Sequence, residues 1–170
     1  NAQRGRARQM NAGTRAACGD VLWFLHADTR VSAAAISALL AALAQPHCTW
    51  GRFDVRLTGT HPLLRSVETL MNLRSRRSGI ATGDQGMFVR REVFARVGGF
   101  PDISLMEDVE LSRRLKRVAP PVCLREKLLT SSRRWERDGV VRTVLLMWRL
   151  RFAYWLGVSP DRLAAYYRHG

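Results

Sequence analysis

A chain of 170 residues, 46% hydrophobic and 25% charged, has enough apolar side chains for one folded domain, which excludes an intrinsically disordered chain. The formal net charge of +14 predicts attraction to an anionic partner: a nucleic acid, an acidic membrane surface or a phosphorylated substrate. Cys18, Cys48 and Cys123 form no C-x-x-C pair, so the sequence indicates neither a disulfide framework nor a structural zinc site and favours a reducing cytoplasm.

The first part of the chain alternates predicted helices and strands. Small and apolar residues at helical spacing predict a helix within residues 4–18. The apolar run 21–25 is typical of a strand buried on both faces of a parallel sheet. Ser32 can cap a helix over 32–44, and residues 49–57 alternate imperfectly, as in a strand with one face in water.

The same alternation continues toward the C-terminal end. In chain order we expect a helix over 61–77, a glycine-rich loop over 78–86, a short strand over 87–89 and a helix from residue 91. A turn at 98–101, a helix over 107–118 and a strand over 122–124 follow. Such alternation is typical of the α/β class.

The last segment, 140–158, is mostly apolar, but three arginines interrupt it, so it lacks the run of about 20 uncharged residues that a membrane span needs. Aromatic residues beside arginine, such as Trp148 and Trp155, are typical of an amphipathic helix at a membrane surface. A helix that packs on its own domain has the same pattern, so both alternatives stay open. Ser159-Pro160-Asp161 predicts the start of a last helix.

Several acidic residues occupy positions where chemistry is common. Asp28 follows a predicted buried strand, the place where open α/β sheets bind ligands, although it could equally cap the next helix. Glu107 and Asp108 open a helix, where they either stabilise its positive end or hold a carboxylate ready to accept a proton. The loop Gly83-Asp84-Gln85-Gly86 combines close backbone approach with polar side chains, as a sugar site or a plain tight turn would.

In order along the chain, these pieces resemble the family 2 glycosyltransferases of the GT-A fold. The matching segments are GRARQMNAG (5–13), FLHAD (24–28), GDQG (83–86), VGGF (97–100) and EDVELSRRL (107–115). The His-Ala-Asp-Thr sequence and the later Arg-Arg-Trp are similar to those of the bacterial subgroup assigned to arsenosugar or glycolipid biosynthesis. The resemblance implies a partial GT-A (Rossmann-like) mixed sheet flanked by helices over residues 1–138. The residue pattern of the last segment predicts C-terminal amphipathic helices over 139–170 that pack on this domain or on a membrane surface.

The resemblance also implies roles for individual residues. Asp28 corresponds to the last acid of the family's D-x-D element and would bind a divalent cation, Mg²⁺ or Mn²⁺, with His26 in place of the first acid. Asp108 corresponds to the catalytic base of an inverting transfer, and Glu107 would position it. The residues implied to bind substrate are Arg6, Asn11, Gly83, Asp84, Gln85, Arg134 and Trp135.

The implied partners are a nucleotide-sugar donor and a small-molecule or lipid acceptor, with a membrane surface as a further candidate. Family members begin with a strand, a helix and a second strand that bind the nucleotide base, and this chain begins after them, so we expect a fragment with weak nucleotide affinity. One rival interpretation, a basic nucleic-acid-binding module, lacks any recognised motif, and we expect no nucleic acid as partner. The other rival is a non-catalytic, membrane-peripheral module whose acids only cap helices. We expect a cytoplasmic location, with the inner face of the membrane as the alternative to a free protein.

Overall fold

A computed structural model describes residues 5–169, without the side chains of residues 168 and 169. Within this range, helices and strands alternate along most of the chain, as predicted. In chain order they are α1 Arg6–Ala16, β1 Val21–Trp23, α2 Ala33–Leu43, β2 Trp50–Leu57, α3 Pro62–Ser78, a 3-10 turn Gly83–Gln85, β3 Phe88–Arg90, α4 Arg91–Arg96, α5 Glu107–Lys116, β4 Val122–Thr130, α6 Arg133–Asp138, α7 Val140–Trp155 and α8 Pro160–His169.

The strands form one mixed sheet in the order β1-β3-β2-β4. β3 pairs antiparallel with both β1 and β2, whereas β2 and β4 run parallel. The predicted α/β class, with a mixed sheet flanked by helices, is confirmed.

Several predicted helix boundaries correspond to observed caps. Ser32 Oγ accepts a hydrogen bond from the Ala35 N–H at 3.2 Å and so caps α2. Gly79 ends α3 at φ 66°, a left-handed conformation that favours glycine. Gly98 and Gly99 also have positive φ angles, which accounts for the tight turn after α4.

Two predictions about strand environment are wrong. The run 21–25 does not lie in a parallel sheet: β1 is shorter, pairs antiparallel with β3 and borders the described sheet, and Leu25 beyond it is exposed. The sequence pattern predicts one face of β2 in water, yet β2 lies between β3 and β4 and Arg52 is fully buried. The burial of Arg52 is tolerable because its guanidinium pairs with Asp54 and donates to the Asn72 carbonyl at 3.0 Å.

Separate apolar clusters cover the two faces of the sheet. Trp50 and Val89 pack with residues of α1, α4 and α5, while Phe53 and Phe88 pack with residues of α2. Because successive strand residues point to opposite faces, these clusters lie on opposite sides. The layered core fixes α1 and α5 beside the end of β1, where the candidate site lies.

The C-terminal helices pack against α5. Leu150 of α7 and Leu163 of α8 form a cluster with Met106 and Val109. Among residues 5–169, no helix combines the length and apolar character needed to cross a bilayer. The division at residues 138 and 139 stays a prediction.

Candidate active site

The candidate site lies where the turn after β1, the 3-10 turn and the beginning of α5 meet α1. A narrow pocket of about 20 Å³ opens there, and its lining includes Arg6, His26, Gly83 and Asp108. That volume holds about one water molecule, so a hydroxyl group fits beside Asp108 and a whole sugar has to bind outside it.

Arg6 joins three of these elements. Its Nη2 lies 2.7 Å from His26 Nε2, and its Nε lies 3.2 Å from Glu107 Oε1. Gly83 makes room for this contact, because a Cβ there would lie 1.6 Å from Arg6 Nη2 and 2.8 Å from His26 Nε2. Only glycine at position 83 therefore allows the guanidinium its observed place.

His26 is held as a neutral imidazole. Arginine can only donate, so His26 Nε2 accepts and the ring proton is on Nδ1. Burial lowers the pKa of His26, and the charge of Arg6 lowers it further, against an opposing effect of Asp84, Asp28 and Asp108.

Asp108 is fixed by backbone hydrogen bonds. Its Oδ2 accepts from the Gly83 N–H at 2.8 Å, and its Oδ1 accepts from the Val109 N–H at 2.7 Å. Each carboxylate oxygen has a second lone pair, so a proton can still be accepted from a bound hydroxyl. Met106, just before Glu107, has φ 69°, a conformation that is strained outside glycine and that sets the angle at which α5 enters the site.

Glu107 is a buried acid. Burial and the neighbouring Asp108 raise the pKa of Glu107, while Arg6 opposes the rise. Arg6 Nε lies within ion-pair distance of Glu107 Oε1, but the two groups are not oriented for a hydrogen bond. Glu107 Oε1 therefore has no hydrogen-bond partner in the described part of the chain. Glu107 thus faces Arg6 rather than the pocket, which suits a positioning residue.

The 3-10 turn separates its side chains into two roles. Gln85 is fully buried, and its Oε1 accepts from the Thr82 N–H at 3.2 Å, which closes a capping box. Gln85 thus holds the turn, and its contact with a substrate stays a prediction. Asp84 has one buried oxygen, Oδ1, that lacks a hydrogen-bond partner among the described residues.

The residues present can be tested against a divalent cation. Asp28 is exposed in the turn after β1; because Ser32 caps α2, the alternative that Asp28 caps that helix is wrong. Within residues 5–169, no group of three or more His, Cys, Asp or Glu side chains could hold a metal. A cation that keeps phosphate oxygens as ligands needs only one or two carboxylates, so Asp28 and the orphaned oxygen of Asp84 fit it. His26 fits less well, because Arg6 occupies its Nε2.

Three predicted substrate residues have other contacts. The Asn11 amide donates to the Phe100 carbonyl at 2.8 Å and accepts from the Phe100 N–H at 3.1 Å, so it holds the glycine turn. The Arg134 guanidinium lies 3.9 Å from the centre of the Tyr167 ring. Trp135 packs against the cluster of Leu57 and its neighbours. Their substrate contacts stay predictions.

Sequence reasoning missed a further cation at the site. Burial lowers the pKa of the Arg74 guanidinium to about 10, and nearby Arg151 adds to this effect while Asp84 and Asp108 oppose it. Arg74 thus lies within electrostatic range of both acids. No sequence signal reveals that Arg74 comes within electrostatic range of Asp84 and Asp108.

The match to a family model decides the identity of the chain. Residues 1–98 match the model described as Glycosyl transferase family 2, which is more than half of the sequence. The chain belongs to glycosyl transferase family 2. No curated protein sequence matches it.

A solved structure agrees with this family 2 assignment at the level of the fold. The mannosyltransferase PcManGT from Pyrobaculum calidifontis, in complex with GDP-Man and Mn²⁺, matches with a TM-score of 0.54 and 21% sequence identity. The match covers 89% of this chain and 41% of that one, so the family 2 chain spans about two fifths of its structural neighbour. The fold is GT-A-like.

Proposed function

We propose that this family 2 domain belongs to an inverting, metal-dependent glycosyltransferase that moves a sugar from a nucleotide-sugar donor to an acceptor hydroxyl. The observation that carries the proposal is Asp108, a carboxylate held by two backbone N–H groups at the edge of a pocket with room for a hydroxyl. Family membership supports the transfer of a sugar.

In the proposed reaction, Asp108 accepts the proton of the acceptor hydroxyl while the hydroxyl oxygen forms a bond to the anomeric carbon. The bond from that carbon to the donor's diphosphate breaks on the opposite side, which inverts the configuration, and the nucleoside diphosphate leaves with the electron pair. Glu107 orients Arg6, and Arg6 in turn fixes His26 and the Gly83 turn to which Asp108 is bonded.

A divalent cation, Mg²⁺ or Mn²⁺, would supply charge stabilisation for the departing diphosphate. Asp28 and Asp84 would hold it, because one is exposed at the end of β1 and the other has an orphaned oxygen. The Mn²⁺ in the structural neighbour supports this choice of cofactor.

The donor and acceptor are proposed from likeness alone. The GDP-Man bound to the structural neighbour makes GDP-mannose the first donor to test. A hexose as the transferred sugar, a lipid or small-molecule acceptor, and the arsenosugar or glycolipid subgroup stay predictions.

The test replaces the proposed base in the full-length protein. Asp108→Asn should lower the release of nucleoside diphosphate from a panel of nucleotide sugars with Mn²⁺ by about a hundred- to ten-thousand-fold, the usual contribution of a general base. The matched control is Asp102→Asn. Asp102 is an exposed acid outside the pocket lining, and its Oδ1 lies 2.7 Å from Arg8 Nε, so this variant should keep the parent rate. Equal turnover of the parent and Asp108→Asn proteins would refute the proposed role.

A further inference from the structure

α7 presents an unpartnered apolar face to solvent. Six large apolar side chains follow one another at spacings of three or four residues, apart from the last adjacent pair, and each is 55–70% exposed. This spacing places them on one side of a helix. The residues of this surface, called the α7 stripe, are Val141, Leu145, Trp148, Phe152, Trp155 and Leu156.

The other side of α7 is already used by the domain. Val140, Thr143 and Leu150 are buried, and Leu150 packs with α5 and α8. Packing on the domain, one of the alternatives open at the sequence level, therefore accounts for only half of the helix. The stripe needs a separate explanation, because apolar patches of this extent on a protein surface mark interaction sites.

The charges along α7 restrict what can cover the stripe. The helix contains Arg142, Arg149 and Arg151 and no acidic residue. At about 100° per residue, Arg142 and Arg149 border the stripe on one side and Arg151 borders it on the other. The guanidinium of Arg149 lies 5.4 Å from the ring centre of Tyr166, which extends the aromatic surface onto α8.

We propose that the α7 stripe binds the surface of an anionic lipid bilayer, with the helix lying in the plane of the interface. Tryptophan and phenylalanine suit the boundary between headgroups and acyl chains, and flanking arginines suit anionic headgroups. A second copy of the chain fits less well, because two stripes face to face would bring arginine borders together with no α7 carboxylate to pair them. The net charge of +14 also favours a bilayer over a second copy, because it repels an equally charged copy and attracts an anionic surface.

This surface lies on α7 rather than in the proposed active site, and the proposal does not depend on the proposed function. A binding measurement without donor, metal or acceptor therefore tests it alone. The two proposals can fail separately.

The experiment is sedimentation of the full-length protein with vesicles of phosphatidylcholine alone, or of phosphatidylcholine and phosphatidylglycerol in equal parts. The parent protein should sediment with the anionic vesicles, with a blue shift of tryptophan emission, and remain in solution with the neutral ones. Trp148→Ser combined with Phe152→Ser should lower the partition coefficient by more than about tenfold, because two aromatic side chains no longer leave water. Arg142→Gln combined with Arg149→Gln should lower it by about fivefold per arginine.

The matched control is Leu40→Ser, which removes an equally exposed apolar side chain from α2 and should bind like the parent. Circular dichroism and thermal unfolding serve to check that each variant is folded. Binding that is unchanged in the folded Trp148→Ser/Phe152→Ser protein overturns the proposal. The proposal is also overturned if the parent protein does not sediment with anionic vesicles. A third contrary outcome is a dimer of the parent protein in light scattering that is lost in the Trp148→Ser/Phe152→Ser variant.

Discussion

Arg6 connects residues that are far apart in sequence. One guanidinium reaches His26 after β1 and Glu107 at the start of α5, and it passes Gly83 so closely that any Cβ would displace it. Precise placement of this kind matters because a misplacement of about 1 Å at a catalytic centre can lower the rate about a hundredfold. The site therefore depends on a contact that neither charge nor spacing identifies in the sequence.

Gly83→Ala tests that contact. The added methyl group should push Arg6 away from His26, and the rate of sugar transfer should fall about tenfold to a hundredfold while the fold persists. The measurement is nucleoside diphosphate release together with thermal unfolding. Gly19→Ala serves as the control, because its Cβ would come no closer than 3.7 Å to any neighbour, and it should keep the parent rate. A Gly83→Ala protein at full activity would show that the close contact is dispensable.

At the level of elements, β2 holds the sheet together. It pairs with β3 on one side and β4 on the other, and Gly51 is the residue where both ladders meet. A Cβ at Gly51 would lie 2.2 Å from the Val122 carbonyl oxygen and 2.5 Å from the Phe88 ring. The space for a Cβ is limited by backbone on one side and by a fully buried ring on the other, so moving either neighbour would cost free energy.

Gly51→Ala should therefore lower the free energy of unfolding by about 1–3 kcal/mol, the usual cost of overpacking a core. Gly13→Ala is the opposite control. Gly13 lies within α1, and beyond its chain neighbours and the adjacent backbone of that helix nothing comes within 4 Å of its Cβ position, so the substitution should raise stability by about 0.5–1 kcal/mol. Urea unfolding followed by circular dichroism measures both. A Gly51→Ala protein as stable as the parent would mean that the strands separate there without cost.

For the whole molecule, the question is whether the C-terminal helices belong to the same folding unit as the sheet. Leu150 belongs to the same buried cluster as Met106 and Val109, which immediately flank the two acids of the site. Arg113 of α5 lies 5.2 Å from the ring centre of Tyr154, a second link between the helices. Because the cluster around Leu150 is buried, we expect α7 to unfold with the domain rather than alone.

Leu150→Ala should lower the free energy of unfolding by about 2–5 kcal/mol and keep a single calorimetric transition. Leu145→Ala, on the exposed side of the same helix, should change it by no more than about 0.5 kcal/mol. Two separate transitions, with only the smaller one shifted by Leu150→Ala, would instead support an independent extension after residue 138.

The sequence by itself determined the alternation of helices and strands, the helix caps such as Ser32, and the family motifs around Asp28 and Asp108, because periodicity and capping are local properties of the chain. Only the tertiary structure decided the direction of β1, the burial of Arg52, and the convergence of Arg6 and Arg74 on the acids. It also decided which face of α7 the domain covers. Strand pairing and charge contacts depend on residues distant in sequence. An apolar run such as 21–25 has the same sequence pattern whether the neighbouring strand is parallel or antiparallel to it.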